Sequence, residues 1–240
     1  MTQHERADLF RRMHLEPPLL VLPNAWDVAS ARVLAPLPGC RALATSSAAV
    51  ARSLGWEDGE QAPVEEMVRV AGRIAAAVDV PVTADLEAGY GDPVGTAGAA
   101  WEAGVVGMNF EDSSGGRLET IERQVERIAA IREAVPALVL NARVDVFVHG
   151  SRDVGEAIER GNAYLRAGAD CVYPILCPTA AIAELAGGID GPLNVLAGRD
   201  VPGPDELHTL GVARLTWGGG LAAAAYAEAA RVVQAALSDG

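Results

Sequence analysis

Eight short apolar runs recur along the chain, and each gives way to a segment with helical periodicity. The runs are Leu19–Leu22, Ala42–Thr45, Val80–Thr83, Val105–Phe110, Leu138–Leu140, Cys171–Tyr173, Leu193–Leu196 and Ala213–Thr216. Runs this short, edged by Pro, Gly, Asn or Ser, read as strands buried on both faces. Between them apolar residues fall three or four apart, as in Val64, Met67, Val68, Ala71 and Ile74, or in Ile121, Val125, Ile128 and Ile131. Further helices are expected over 27–34, 96–103, 154–167, 179–186 and 205–210, with a last one running to about Leu237. Asp27 and Pro63 suit helix starts, and Gly168, Gly187 and Gly211 suit helix ends. A helix between successive strands returns the chain for parallel pairing. Eight such units predict a (β/α)8 barrel of the TIM type, with an open doubly wound sheet as the competing arrangement. No GxGxxG follows the first strand, which weakens a dinucleotide-binding reading of the open sheet. No linker interrupts the pattern, so one domain is expected over 1–240: an N-terminal helical segment over 1–18, a barrel core over 19–220 and a C-terminal helix over 221–240.

Charge narrows the partners. Lys and Arg number 19 against 32 Asp and Glu, a net charge of −13, and no basic run stands out. That argues against nucleic acid and against an anionic membrane surface. It leaves small anionic substrates open, because a bound cation and one placed Arg reverse the local sign. Cys40, Cys171 and Cys177 have no CxxC spacing and are odd in number, which fits a reducing compartment. The N-terminus lacks the basic start and apolar core of a signal peptide, and Ala222–Ala225 lies in an amphipathic segment carrying Glu228 and Arg231. A cytoplasmic protein is expected.

In an eight-fold barrel the chemistry sits at the carboxyl ends of the strands. Asn24, Ser46, Ser47, Asp85, Glu87, Glu111, Arg143 and Asn194 fall at or near such ends. The stretch from Pro81 to Pro93 is the most suggestive, closing a β-branched run on Asp85 and Glu87 before Gly89 and Gly91. Alone it reads equally as a strand end with two solvated acids. With Glu111 it makes a set of oxygen donors for Mg²⁺, which keeps several waters and binds through one or two carboxylates plus substrate. Ser46, Ser47 and Ala48 offer backbone N–H groups and hydroxyls to an anion, and Arg143 offers a fork for a carboxylate. A cation facing a carboxylate clamp suits a 2-oxo acid or its enolate. Cys177 and His149 are read as an inert thiol and a surface-loop imidazole rather than proton carriers. Tyr90 reads equally as packing or as a hydroxyl over the acids, and Asp112 as a supporting group or a helix cap.

Six pieces in order resemble the isocitrate lyase / phosphoenolpyruvate mutase superfamily: Leu22-Pro-Asn-Ala-Trp-Asp27, Thr45-Ser-Ser-Ala-Ala-Val50, Leu54-Gly-Trp-Glu-Asp-Gly-Glu60, Asp85-Leu-Glu-Ala-Gly-Tyr-Gly91, Asn109-Phe-Glu-Asp112 and Asn141-Ala-Arg-Val-Asp145. The resemblance implies a barrel, often tetrameric with its last helix exchanged between neighbours, and Mg²⁺ or its substitute Mn²⁺. A homotetramer or homodimer is therefore expected. It implies Asp85 as the direct metal ligand, with Glu87 and Glu111 holding the metal largely through water and Asp58 as a further acid nearby. It implies Ser46, Ser47 and Ala48 as the turn that binds substrate carboxylate or phosphoryl oxygens, with Arg143 as the clamp. The catalytic set is thus Arg143, Asp58 and Glu111. The substrate set is Ser46, Ser47, Ala48, Arg143 and Asn194.

The departures matter as much. The lyases of this superfamily carry a Lys-Lys-Cys-Gly-His/Arg loop after the fourth strand, where this chain has Ser113-Ser-Gly-Gly-Arg-Leu118. The longer gating loop of the mutases is also absent, and position 87 is Glu where many members have Asp. The expected reaction is a Mg²⁺-dependent, lyase-type cleavage of a C–C or P–C bond in a small 2-oxo or 2-hydroxy carboxylate through a metal-bound enolate. Two alternatives stay open. One is a hydrolase or decarboxylase of phosphoenolpyruvate or oxaloacetate, since a short lid admits water. The other is a catalytically inactive carboxylate-binding barrel.

Overall fold

The computed structural model describes residues 1–238. Its elements in chain order are α1 (Gln3–Met13), β1 (Leu20–Leu22), β2 (Asn24–Ala25), α2 (Val28–Leu34), β3 (Leu43–Thr45), α3 (Ser47–Leu54), α4 (Val64–Ala77), β4 (Val82–Asp85), α5 (Pro93–Glu102), β5 (Gly107–Glu111), β6 (Ser113–Ser114), β7 (Arg117–Leu118), α6 (Ile121–Ala134), β8 (Val139–Val144), α7 (Val154–Arg166), β9 (Cys171–Pro174), α8 (Ile182–Gly188), β10 (Asn194–Leu196), α9 (Pro204–Thr209), β11 (Arg214–Thr216) and α10 (Gly220–Ser238). The pairing is parallel throughout the main sheets, in the orders β2-β3-β4-β5-β8-β9 and β1-β11-β10. A parallel bridge between Val172 and Leu193 links β9 to the run that leads into β10. Among the described residues only the β6–β7 hairpin is antiparallel. This is an α/β fold of the TIM-barrel type.

The helices take their positions from their apolar stripes. In α4, Met67, Val68, Ala71, Ile74 and Ala75 are buried and Val64 packs partly against them, the spacing of one helix face. One large core fills the space between strands and helices. A second, smaller one lies where α1 joins Leu20, Leu22, Ala42, Ala44, Val106 and Val139. Thr2 and Glu5 cap α1 reciprocally, and Arg11 ties it to Asp170 at 2.8 Å. Phe10 of that helix is fully buried, worth about 2–3 kcal/mol of transfer free energy. It fits only because position 107 is glycine: a Cβ there would meet Phe10 Cε1 at 2.9 Å and Thr83 Oγ1 at 2.8 Å.

Three expectations shift. The third strand begins at Val82, two residues later than its apolar run, because Pro81 has no N–H for the ladder and contributes only its carbonyl, to Leu43 N. Asp85 therefore belongs to the strand itself. The helix expected from Thr96 starts at Pro93, where the Asp92 carboxylate accepts from Gly95 N at 2.9 Å. The segment after the fourth run forms the β6–β7 hairpin rather than an irregular loop. Among the described residues no helix is long and apolar enough to cross a membrane.

Candidate active site

Three adjacent strands carry the charged groups. β4 ends on Asp85, β5 ends on Glu111, and Glu111 sits opposite Arg143 of β8 in register. Asp85 reaches sideways to the start of α3, where its Oδ2 accepts from Ser47 N at 3.1 Å and Ser47 Oγ at 3.0 Å. Its own N–H donates to Thr45 Oγ1 at 3.0 Å, so the β3–α3 turn and the end of β4 are one unit. Ser46 caps α3, accepting from Ala49 N, and is buried with Ser47.

The loop after Asp85 is strained into shape. Glu87 and Tyr90 hold positive φ values of 50° and 52°, and Glu60, on a separate loop, holds 60°. These three residues tie one another. Glu60 N donates to Glu87 Oε2 at 2.7 Å, Tyr90 Oη donates to Glu87 Oε1 at 2.7 Å, and Tyr90 N donates to Glu60 Oε1 at 2.5 Å. Gly89 has φ 86°, and a Cβ there would meet Pro93 Cα at 2.6 Å, so the turn into α5 requires glycine. Arg127, stacked 4.7 Å over Phe110, donates to the Ala88 carbonyl and holds the loop from below.

Arg143 is already engaged. Its Nε and Nη2 meet Asp145 Oδ1 and Oδ2 at 2.6 and 2.8 Å, and Nη2 also meets Glu111 Oε2 at 2.6 Å. Asp145 is wholly buried, and its N–H donates to Asp112 Oδ1 at 2.8 Å. Asp112, also wholly buried, accepts in turn from Tyr164 Oη at 2.7 Å and Arg160 Nη1 at 3.2 Å. Asp112 thus anchors the loop after β8 and caps no helix. The fork of Arg143 is fixed by protein carboxylates, and among the described residues its Nη1 makes no hydrogen bond.

The electrostatics follow from this crowding. Burial pushes the Asp85 carboxyl above its ordinary pKa, against the pull of Arg143 and the Ser47 bonds. Burial, with the charges of Asp58 and Asp85, pushes Glu87 up to about 7. Burial pushes Glu111 up to about 9, with Asp145, Asp85 and Glu87 adding to the effect and Arg143 opposing it. Arg143, held by Asp145 and Glu111, stays firmly cationic. Asp85, Glu87, Glu111 and Asp145 therefore share this one guanidinium, and burial favours the protonated forms of Glu87 and Glu111.

A pocket of about 380 Å³ opens beside these groups, lined by Glu60, Glu87, Glu111, Arg143 and Asp145 together with the β6–β7 hairpin and His149; Asp85 and the Ser46–Ala48 turn are not part of its lining. Among the described residues no three His, Cys, Asp or Glu side chains are arranged to enclose a metal by themselves. Asp85, Glu87 and Glu111 are clustered oxygen donors of the kind that a hard cation keeping most of its waters would take.

Of the residues singled out in the sequence, Ser46, Ser47, Asp85, Glu87, Glu111 and Arg143 gather here, and Ala48 follows them in the first turn of α3. Asp58 is exposed on the loop before Glu60 and makes no hydrogen bond among the described residues; its charge is nevertheless felt by Asp85 and Glu87. Asn194 lies elsewhere. It opens β10 instead of ending it, is fully buried opposite Arg214 in register, and accepts from Thr216 Oγ1 at 3.3 Å. Burial pushes the Cys177 thiol up to about 11, in keeping with an inert role. Asp145 and Glu60 are the residues the sequence reading passed over. Both close pieces quoted above, Asn141–Asp145 and Leu54–Glu60, and Asp145 follows Arg143 by two positions just past the end of β8, whereas nothing in the sequence joins Glu60 to Glu87.

Known proteins place this arrangement. The family model for phosphoenolpyruvate phosphomutase matches residues 10–237. A candidate phosphonomutase from Burkholderia cenocepacia J2315 has a structure superposing with a TM-score of 0.90 at 37% identity, over 96% of this chain and 99% of that one. The 2-methylisocitrate lyase of Bacillus subtilis (strain 168) is 32% identical over 185 residues, which span 72% of this chain and 60% of that enzyme. An oxaloacetate acetylhydrolase, solved with its product oxalate, superposes with a TM-score of 0.86 at 25% identity, over 98% of this chain and 88% of that one. With the family model matching nearly the whole length of the barrel and its acids where the strands end, the chain belongs to the phosphoenolpyruvate mutase / isocitrate lyase superfamily and is an enzyme of its lyase and phosphonomutase type.

Proposed function

We propose that this enzyme uses Mg²⁺, with Mn²⁺ as a substitute, to cleave a C–C or P–C bond in a small 2-oxo or 2-hydroxy carboxylate. The observation that carries the reading is the surplus of buried carboxylate at the ends of β4 and β5, set beside a guanidinium whose Nη1 is free. A bound Mg²⁺ would polarise the substrate carbonyl and offset the negative charge that builds on oxygen as the bond breaks. Asp85 would hold it directly, oriented by Ser47. Glu87 and Glu111 would hold its waters, and Asp58 would add charge from the rim. Ser46, Ser47 and Ala48 would present the N-terminal end of α3 to the substrate's anionic end. Arg143, locked by Asp145, would bind a carboxylate oxygen through Nη1 without first losing side-chain freedom.

A second reading is hydrolysis or decarboxylation of oxaloacetate or phosphoenolpyruvate. The likeness to oxaloacetate acetylhydrolase favours it, as does a lid no longer than the β6–β7 hairpin. Proton and phosphorus NMR of the protein with Mg²⁺ and a panel of phosphoenolpyruvate, phosphonopyruvate, oxaloacetate and branched malates and citrates separates the two. Loss of one compound with a matched product, absent in Asp85→Ala, fixes the reaction class. No turnover of any of them despite Mg²⁺ binding counts against both readings.

The same reading extends to the assembly. Pro23 alone separates β1 from β2, so the two sheets and the Val172–Leu193 bridge support one closed ring of eight strands, with a single domain over 1–240. Beyond Ala222 the helix α10 is exposed, including Tyr226, Val232, Val233 and Leu237. An apolar groove lined by Val21, Leu34, Leu37, Cys40, Trp217 and Leu221 lies at its root. An unpacked helix beside an apolar groove supports a homodimer or homotetramer in which the last helix crosses to a neighbour. Three free thiols support a cytoplasmic setting.

A further inference from the structure

Bond cleavage next to a carboxylate leaves a carbanion that must take up a proton, and most groups around the pocket are unable to supply one. Glu87 has both oxygens engaged by Glu60 N and Tyr90 Oη, and Asp145 has both engaged by Arg143. Glu111, whose carboxyl burial pushes up to about 9, has its Oε2 held by Arg143 and in the proposed reaction gives its charge to the metal's waters, and Glu60 accepts from Tyr90 N. The Tyr90 hydroxyl is spent on Glu87. Arginine keeps its proton at any working pH. Two further lining groups are placed differently. Ser113, buried at the start of β6 two residues beyond Glu111, has its Oγ 2.9 Å from His149 Nε2. His149 stands exposed on the loop after β8, its N–H donating to the Asp145 carbonyl at 3.1 Å. Its Nδ1 has no hydrogen-bond partner among the described residues, and the residue as a whole is exposed.

We propose that Ser113 is the proton donor of this site and that His149 positions and recharges it; the assignment rests on the reaction class proposed above. The carbanion lone pair takes the Ser113 hydroxyl proton and a C–H bond forms. Ser113 Oγ takes the proton from His149 Nε2, and the imidazole regains one from water at Nδ1. Run backwards, the same pair removes a proton from carbon. Charge and protons balance, with water as the only co-reactant. A general acid or base of this kind contributes roughly 10²–10⁴-fold.

The test is hydrogen–deuterium exchange at C3 of pyruvate and 2-oxobutyrate in D₂O with Mg²⁺, followed by proton NMR, since enolisation calls for the same proton transfer without requiring the full substrate. Asp85→Ala is the control for the site as a whole. Ser113→Ala and His149→Ala are expected to slow exchange about a hundredfold or more. Ser113→Thr keeps a hydroxyl and is expected to retain most of it. The thermal shift with Mg²⁺, which reports folding and the metal site, stays as in the wild type for all three. Added imidazole restores exchange to His149→Ala but not to Ser113→Ala, a response that a structural defect would not give. Exchange that needs Asp85 but proceeds unchanged in Ser113→Ala and His149→Ala overturns the pair and leaves the proposed reaction standing. Loss in His149→Ala that imidazole does not restore overturns the recharging role. No exchange in the wild type overturns both.

Discussion

Asp85→Asn should have opposite effects with and without metal. Asp85 is buried at the end of β4, and its carboxyl is pushed above the ordinary range by burial despite Arg143 and two bonds from Ser47. Without metal that charge is a cost to folding. The amide keeps the shape, and its carbonyl oxygen still accepts from Ser47 N and Oγ. In EDTA the variant should therefore be the more stable protein, by about 1–3 kcal/mol, the scale of relieving an uncompensated buried group. With Mg²⁺ the order reverses. A ligand present at a hundredfold excess over its Kd stabilises the fold by about 2.7 kcal/mol. For a chain of this size that is roughly 5–11 °C in Tm, at about 2–4 °C per kcal/mol. Asn lacks the charge to hold the cation, so the variant should show no Mg²⁺ shift. Thermal unfolding of both proteins in EDTA and in Mg²⁺, at matched ionic strength, reads all four values. A variant less stable than wild type in EDTA refutes the charge argument. A Mg²⁺ shift that survives refutes Asp85 as the ligand.

Three further perturbations probe the frame around the site. Asp145→Ala removes both oxygens that hold the Arg143 fork and should cost about 3–5 kcal/mol in urea unfolding, the price of breaking a buried pair from one side; a loss under about 1 kcal/mol would show that Glu111 alone suffices. Gly89→Ala forces a Cβ to within 2.6 Å of Pro93 at a φ of 86°, and the shift should weaken Mg²⁺ binding through Glu87 and Tyr90, measured by calorimetry; unchanged affinity would detach that loop from the metal. His14 lies buried beneath the barrel, its pKa pushed down to about 3 by burial and then by the Arg214 charge. The unfolded chain protonates it near pH 6.5 while the folded one does not, so stability falls as pH drops, at about 1.36 kcal/mol per unit, or roughly 2 kcal/mol by pH 5. His14→Gln should flatten that part of the pH profile, and coincident slopes for the two proteins would contradict it.

The residues legible in the sequence were those whose partners are written nearby. Strand ends announce themselves where an apolar run meets acids and glycine, which is why Asp85, Glu111 and Arg143 could be read as one mouth. Strand boundaries were less legible: Asn194 stands in an apolar run whose last three residues alone form β10, so its side chain falls a layer below the mouth. Contacts across loops left no trace. Glu60 meets Glu87 from 27 positions away, and Ser113 meets His149 from 36, with no periodicity to connect either pair. The Arg143–Asp145 pair is an intermediate case. Its members stand two positions apart, but only the geometry reveals that the fork is closed by the protein itself.

The barrel interior carries the charge argument one layer further. Below the acids, Arg214 of β11 is fully buried, its Nη2 donating to Asn109 Oδ1 at 3.1 Å, while Asn141 Nδ2 donates to the same oxygen at 2.9 Å. Its Nε and Nη1 have no partner among the described residues, and it forms no ion pair with them. A guanidinium so placed is costly unless something else needs its field. Burial lowers the Arg214 pKa, and Cys171, Tyr173 and, more weakly, Asp85 oppose that effect. Were a bound cation to displace the protons that burial favours on Glu87 and Glu111, then Asp85, Glu87, Glu111 and Asp145 would set four negative charges against Arg143 at the side and Arg214 beneath. Two would remain. A monovalent cation would leave one buried carboxylate uncompensated, and a third arginine would fill the pocket that substrate must enter. A divalent ion with its own waters would supply both charges and keep the space open, which is why the proposed cation is Mg²⁺.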